Sequence, residues 1–403
     1  MKLKIADLAL DGTDTVLYIN TLIEDAIVHG ASDIHLEPQR EKTRVRFRID
    51  GDLSTVAMLD KEGHQGLITR IKILSNLSIT ERRLPQDGSF TFEQDEGVDL
   101  RVALLPTIYG EKAVIRILSR ERYKLGLEDF DFPEETLTRL RSIAARTRGM
   151  LISSGPTGCG KTTTLYALLH ELNREHRNIL TIEDPVEYKI EGIHQMQVND
   201  KAGMTFARGL RAMLRADPDI ILVGEIRDQE TAQTAVRAAI TGHGVVSTIH
   251  TYDSYSAIIR LLDMGVEPYL IASALSGVQS QRLIKKLCPH CKKKGQPTRQ
   301  EMAMLHHLLG EEISIQLYEP AGCEHCNGGF LGRQVISEVF EIDDGFIRLI
   351  KSRVDISELR IHGKNSGVRT MLEDGLGRAV RGELYLPDVI RATQSIGGEE
   401  VDG

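Results

Sequence analysis

Hydrophobic and polar positions alternate along the chain with two different periods. Between Thr15 and His29 the apolar residues Val16, Ile19, Leu22, Ile23, Ala26 and Ile27 fall on one helical face, with Asp14 before the run and Gly30 after it. Thr43–Asp50 switches to strict alternation, Val45, Phe47 and Ile49 on one side and three arginines on the other, which predicts a half-buried strand. A second helix is predicted over His64–Leu77. A hairpin follows, from Asp99–Pro106 through a turn around Tyr109, Gly110 and Glu111 to Lys112–Leu118. Residues 1–120 are thus a small α+β domain. The charged segment 121–133 has no sustained period, ends in proline and is expected to be a linker.

Beyond it, helical patterns alternate with short apolar runs at Met150–Ser154, Asn178–Ile182, Asp219–Gly224 and Gly244–Ile249. Such nearly continuous apolar strands predict an α/β domain over 134–403, its sheet largely parallel and covered on both faces. The part from 341 to 403 is expected to be helical.

Composition narrows the class. The chain has 403 residues, 41% hydrophobic and 27% charged, and a net charge of −8. That is ordinary globular composition. It argues against a surface devoted to gripping nucleic acid, which needs excess Lys and Arg. No apolar window approaches the roughly 18–20 residues of a membrane span, and Asp7 and Asp11 interrupt the only candidate for a leader. A soluble intracellular protein is expected.

The sharpest motif is Gly155-Pro156-Thr157-Gly158-Cys159-Gly160-Lys161-Thr162, which fits G-x-x-x-x-G-K-[ST] between a predicted strand and a helix beginning near Thr163. Glycines let successive backbone N–H groups converge on phosphates at a helix N-terminus, where the dipole favours anions. Lys161 is expected to reach the β and γ phosphates of ATP, and the Thr162 hydroxyl to ligate Mg²⁺. Asp219–Glu225 is a second apolar strand ending in a carboxylate, and Glu225 is a candidate to orient or deprotonate the attacking water. Glu183 and Asp184 end another apolar strand; alone they are as readily caps or turn formers. His243 and His250 flank a further strand, and each alone fits a hydrogen-bonded structural role.

Cys288 and Cys291 form one Cys-x-x-Cys pair, and Cys323 and Cys326 another. Four thiolates at paired spacing suit tetrahedral structural Zn²⁺ within a module over 284–340, with a helix around Arg299–Leu309 filling the long gap; a redox dithiol pair is the rival reading. Lys285, Lys286, Lys292, Lys293 and Lys294 crowd the first pair. A solvated basic loop is the plain reading, and a surface facing nucleic acid or acidic lipid the sharper one. Cys159 is a small residue in a tight turn, with a redox switch as its alternative.

Together Gly30–Pro38, Gly155–Tyr166, Glu183–Tyr188, Met204–Arg211, Gly224–Asp228 and Thr241–His243 resemble the secretion ATPase family, which includes type II secretion, type IV pilus assembly and competence ATPases. The resemblance covers essentially the whole chain. It implies a RecA-like ATPase domain with a PAS-like N-terminal domain, a homohexamer, and ATP bound between the two domains. It further implies a place at the cytoplasmic face of the inner membrane, peripherally attached through secretion or pilus platform proteins. Asp184 matches the family's aspartate box, Glu225 its Walker B glutamate, and His243 and His250 its histidine box. Arg101, Arg116, Arg211 and Arg215 match arginines that stabilise charge on the transferred phosphoryl group. Without the resemblance, Arg101 and Arg116 are solvated hairpin charges. The four cysteines fit the secretion and pilus assembly members. A further N-terminal docking domain carried by many members is not expected in this chain, through natural shortness or truncation. The competing class is a nucleic-acid-translocating or DNA-stimulated P-loop ATPase.

Overall fold

The computed structural model describes residues 4, 15–93, 97–118, 125–146, 148–310 and 315–394. The chain divides into two compact units, Met1–Arg122 with Gly322–Gly332, and Tyr123–Ala321 with Arg333–Gly403.

In the first unit, α1 (Thr15–Val28) precedes β1 (Asp33–Pro38), β2 (Thr43–Ile49) and β3 (Asp52–Leu59). Then come α2 (Lys61–Leu74), β4 (Gln86–Phe92), β5 (Val98–Thr107) and β6 (Gly110–Leu118). Among the described residues they form a sheet in the order β3-β2-β1-β6-β5-β4, with antiparallel neighbours throughout. The predicted alternation holds in β2: Val45, Phe47 and Ile49 are buried while the arginines between them stay partly exposed. Helix α1 buries Ile19, Leu22, Ile23 and Ala26 against this sheet, whereas Val16 is exposed. A helix of this length is marginal alone, so the buried stripe holds it. Asp14, expected ahead of it, lies outside the described residues, as do 119–120 of the expected domain and 121–124 of the expected linker. Helix α2 starts three residues before its predicted His64 because the Asp60 carboxylate caps it, accepting from Gly63 N at 2.7 Å.

The second unit opens with α3 (Glu134–Ala145), β7 (Gly149–Ser154), α4 (Lys161–Leu172), β8 (Ile179–Glu183) and β9 (His194–Gln197). It continues through α5 (Phe206–Met213), β10 (Ile220–Val223), α6 (Gln229–Ile240), β11 (Gly244–Ile249), α7 (Ser254–Asp263), α8 (Pro268–Ala274) and β12 (Leu275–Leu287). A small pair, β13 (Lys293–Gly295) and β14 (Leu317–Glu319), brackets α9 (Arg299–Leu309), the helix predicted between the cysteine pairs. Strand β15 (Phe330–Glu341) and helices α10 (Asp344–Lys351), α11 (Ile356–Asn365), α12 (Met371–Val380) and α13 (Leu386–Gln394) complete it; 395–403 lie outside the described residues.

The central sheet runs β15-β12-β7-β11-β10-β8-β9, and from β12 to β9 every neighbour pair is parallel. Its strands bury both faces, as their apolar runs require. Met150 and Ile152 of β7 join a core with α5 to α8, while Leu151 between them joins the core under α3 and α4. Two strands escaped the apolar pattern. Within β12, Gln279, Ser280 and Gln281 are fully buried, and β15, which the sequence places in the cysteine module, pairs with β12. Among the described residues no helix is long and apolar enough to cross a membrane.

On β15, Glu338 is buried and accepts a hydrogen bond from the Ser254 hydroxyl at the start of α7. Burial, opposed by that hydrogen bond and reinforced by the Asp253 charge, raises its pKa from 4.5 to about 7. The native state therefore holds this proton more tightly than the unfolded chain, and stability from it, complete below pH 4.5, is withdrawn as pH rises to about 7. Glu338→Gln is expected to raise the melting temperature at pH 8 and leave it nearly unchanged at pH 4.5, a gain on the order of 2 kcal/mol at the higher pH. Thermal melts of both proteins at the two pH values check this.

Candidate functional site: a phosphate loop beside a carboxylate cluster

Parallel register builds the site. Ile249 of β11 pairs with Ser154 of β7, and Val223 of β10 pairs with Ser247 of β11 and Ile182 of β8. The residues that follow these strands therefore share one edge of the sheet: the loop from Gly155, then His250, Glu225 and Asp184. Ligands of open α/β sheets bind at this carboxyl edge.

The turn from β7 into α4 has Gly155, Gly158 and Gly160 at φ 144°, 78° and 90°, conformations that side chains rarely adopt. Gly155 is also required by space, since a Cβ there would lie 2.6 Å from Cys159 Sγ. Pro156, Thr157 and Gly158 are exposed at the tip, Thr162 is exposed on the first turn of α4, and Thr163 is half-buried beside it. Lys161 is buried, and its Nζ donates to the carbonyls of Gly155 at 2.7 Å and Pro156 at 2.9 Å. Burial pushes its pKa below the ordinary lysine value, against the Glu225 charge, which favours the cation. Cys159 is buried inside the turn, and desolvation pushes its thiol up, which disfavours the thiolate a redox switch needs.

Glu225 is held from two sides. Arg227 donates to Oε1 at 2.5 Å, and His250 Nε2 lies 3.4 Å from Oε2. Arg227 also reaches Asp184 at 3.8 Å, so Asp184, Glu225, Arg227 and His250 form one cluster. Burial first, then the Lys161 charge, lowers the His250 pKa and keeps the imidazole neutral near pH 7. Arg227 was not assigned a role from sequence, although it lies inside the Gly224–Asp228 motif.

The other candidates are placed differently. Glu183 is buried, accepting from the Tyr166 hydroxyl, from Thr181 Oγ1 at 2.6 Å and from Gln195 Nε2 at 3.2 Å. It ties α4 to β8 and β9 and does not join the Glu225 cluster. His243 sits before the first residue of β11, at the opposite end of the strand from His250, with Nδ1 3.1 Å from the Ala238 carbonyl. A strand of that length separates the two imidazoles by roughly 20 Å, so this chain brings only His250 to the phosphate loop. Arg211 pairs with Glu230 in the first turn of α6, and Arg215 donates to the Arg211 carbonyl at 2.9 Å. In the first unit, Arg101 and Arg116 are directly opposed in β5 and β6, on one face as expected, and Arg116 pairs with Asp33 at 3.2 Å.

The sulfur atoms of Cys288, Cys291, Cys323 and Cys326 all lie within 4.8 Å of one another. Cys323 and Cys326 are 3.7 Å apart at sulfur, and a tetrahedron of Zn–S bonds near 2.3 Å has edges of about 3.8 Å. The set fits zinc closed by four protein ligands. Among the neighbouring lysines, Lys292 donates to the Gly382 carbonyl at 2.6 Å and lies over the Tyr318 ring, so it is engaged within the fold.

A family model described as Type II/IV secretion system protein matches residues 10–391. The chain belongs to this family. It is 42% identical over 388 residues to the type IV pilus assembly ATPase PilB of Thermus thermophilus, covering 96% of this chain and 44% of that protein. It is 44% identical over 397 residues to the type II secretion system protein E of Dickeya dadantii, covering 96% of this chain and 78% of that one. The chain therefore spans less than half the length of the first relative. Among solved structures, the pilus retraction motor PilT with bound ADP superposes with a TM-score of 0.63 at 25% identity, over 93% of this chain and 96% of that one. The Legionella pneumophila ATPase DotB reaches 0.71 at 18% identity, over 96% and 98%, a likeness of fold. As a Type II/IV secretion family member the chain carries that family's RecA-like ATPase core, with Lys161 and Glu225 at one sheet edge.

Purified protein is expected to carry about one zinc per chain, measured by elemental analysis. Cys288→Ser is expected to lose most of it and to lower the melting temperature. Full zinc content in that variant would contradict a four-thiolate site.

Proposed function

We propose that this chain binds Mg-ATP at Gly155–Thr163 and hydrolyses it, and that the work drives assembly of a pseudopilus or type IV pilus for protein secretion, pilus extension or DNA uptake. The carrying observation is the convergence of Lys161, Glu225 and His250 on the carboxyl edge of one parallel sheet. Loop N–H groups and the start of α4 hold the phosphates, and Lys161 exchanges its two loop carbonyls for phosphate oxygens. The exposed Thr162 hydroxyl is the ligand this loop offers Mg²⁺, which neutralises phosphate charge when bound. Glu225 orients or deprotonates the attacking water, and neutral His250 donates from Nε2 to Glu225 or to a phosphate oxygen. Asp184 supports the cluster through Arg227. Glu183 acts through Tyr166, by fixing α4.

Arginines complete the reading. Arg101 and Arg116 act on the transferred phosphoryl charge, with Arg211 and Arg215 as further candidates, and His243 serves a neighbouring subunit or the fold. The working form is a homohexamer at the inner face of the cytoplasmic membrane, peripherally bound through platform proteins. The names of the secretion and pilus relatives support that setting. Zinc at the four cysteines is structural. A nucleic-acid translocase is not favoured, given the net charge of −8 and the engaged Lys292.

Lys161→Ala and Glu225→Gln are each expected to cut phosphate release from ATP by at least about 100-fold while circular dichroism and zinc content stay unchanged. Wild-type rates in either variant would overturn the assignment. The wild-type rate per chain is expected to rise with protein concentration as hexamers form, followed by sedimentation, and not to respond to added DNA.

A further inference from the structure

Strand β12 runs parallel to β7 with Ser280 opposite Ser154, so its next residue, Gln281, comes level with the start of the phosphate loop. Gln281 is fully buried and makes three side-chain hydrogen bonds. Its Nε2 donates to the Cys159 carbonyl at 2.7 Å. Its Oε1 accepts from the Thr164 hydroxyl at 2.9 Å and from Gln279 Nε2 at 2.7 Å. The Cys159 carbonyl is an acceptor only, which fixes the amide's orientation. Gln281 also approaches the loop closely: a Cβ on Gly155 would lie 2.9 Å from its backbone carbonyl, and one on Gly160 3.1 Å from its side-chain Nε2.

The consequence follows from peptide geometry. In a trans peptide the C=O and the next N–H point in opposite directions. Drawing the Cys159 carbonyl toward β12 therefore turns the Gly160 N–H the other way, to the concave side of the loop where anions collect. The second bond fixes Thr164, and with it the first turn of α4 and the direction in which Lys161 leaves the helix.

We propose that Gln281 is a positioning residue for nucleotide binding, holding the phosphate loop in its anion-receiving shape through Cys159 and Thr164. This rests on the loop binding nucleotide phosphates. Mg-ADP titrated calorimetrically into wild type and Lys161→Ala tests that premise on its own: failure of the wild type to bind overturns the premise, and the inference with it. Gln281→Met keeps length and removes both polar groups. It is expected to weaken Mg-ADP about tenfold, as loss of one or two hydrogen bonds implies, and to raise the KM for ATP in step while kcat changes less than about threefold. Gln281→Glu sets a carboxylate against the Cys159 carbonyl and is expected to weaken binding further. Thr164→Val removes the other half of the clamp, is expected to act in the same direction, and is expected to be non-additive with Gln281→Met. A folded Gln281→Met that binds Mg-ADP within about twofold of wild type, or that loses kcat with KM unchanged, overturns the proposal. Should that variant not fold, unchanged Mg-ADP affinity in Thr164→Val overturns it equally.

Discussion

In-step parallel pairing of β7, β11, β10 and β8 is the constraint on which the site depends. Each strand contributes one short turn at its carboxyl end, and register decides which residues meet there. A slip of one residue between β10 and β11 would turn Ser247 away from the Val223 carbonyl, to which its hydroxyl now donates at 2.7 Å. Thr248 makes the same kind of bond to the Gly224 carbonyl, also at 2.7 Å, and anchors the residue just before Glu225. The reactive edge is thus fixed by buried hydroxyls within the sheet.

Burying those polar groups costs free energy unless each is paired. On strand β12 the pairing is made by Gln281, through Cys159, Thr164 and Gln279, while Gln279 Oε1 and Ser280 Oγ are buried without a hydrogen-bond partner among the described residues. Arg282 extends the arrangement, donating to the Gln281 carbonyl at 3.0 Å and also to the Tyr252 carbonyl, two residues beyond His250. One strand therefore contacts the phosphate loop and the chain that carries His250. Ser154, at the end of β7, donates to the Asp253 carbonyl at 3.1 Å and closes the circuit.

Where the apolar period was regular, the sequence was sufficient. Strands β2, β7 and β11 lie where periodicity places them, and α9 fills the long gap between the cysteine pairs as expected. The phosphate loop was legible because its glycines answer to conformation, and the cysteine pairs because their spacing answers to coordination geometry. What escaped was governed by neighbours distant in sequence. The run Gln279-Ser280-Gln281 has no apolar signature, and the contacts that place it in the core are those of Gln281 with Cys159 and Thr164, far away in sequence. His243 and His250 look equivalent along the chain. Only the direction of β11 relative to β7 separates the one at the phosphate edge from the one behind it. Glu183 looked as available as Asp184, yet alternation along β8 sends it inward to Tyr166 and Gln195.

The Glu225 carboxylate is engaged by the Arg227 guanidinium at 2.5 Å and faced by the neutral imidazole of His250. Arg227 occupies Oε1 of this carboxylate, which leaves Oε2 facing His250. Arg227 also lies 3.8 Å from Asp184, so one guanidinium is shared by the two carboxylates. In the proposed ATPase a single His250 Nε2 faces either Glu225 or a phosphate oxygen, which would link occupation of the loop to freedom of the carboxylate, while Gln281 of β12 bonds the loop at the Cys159 carbonyl.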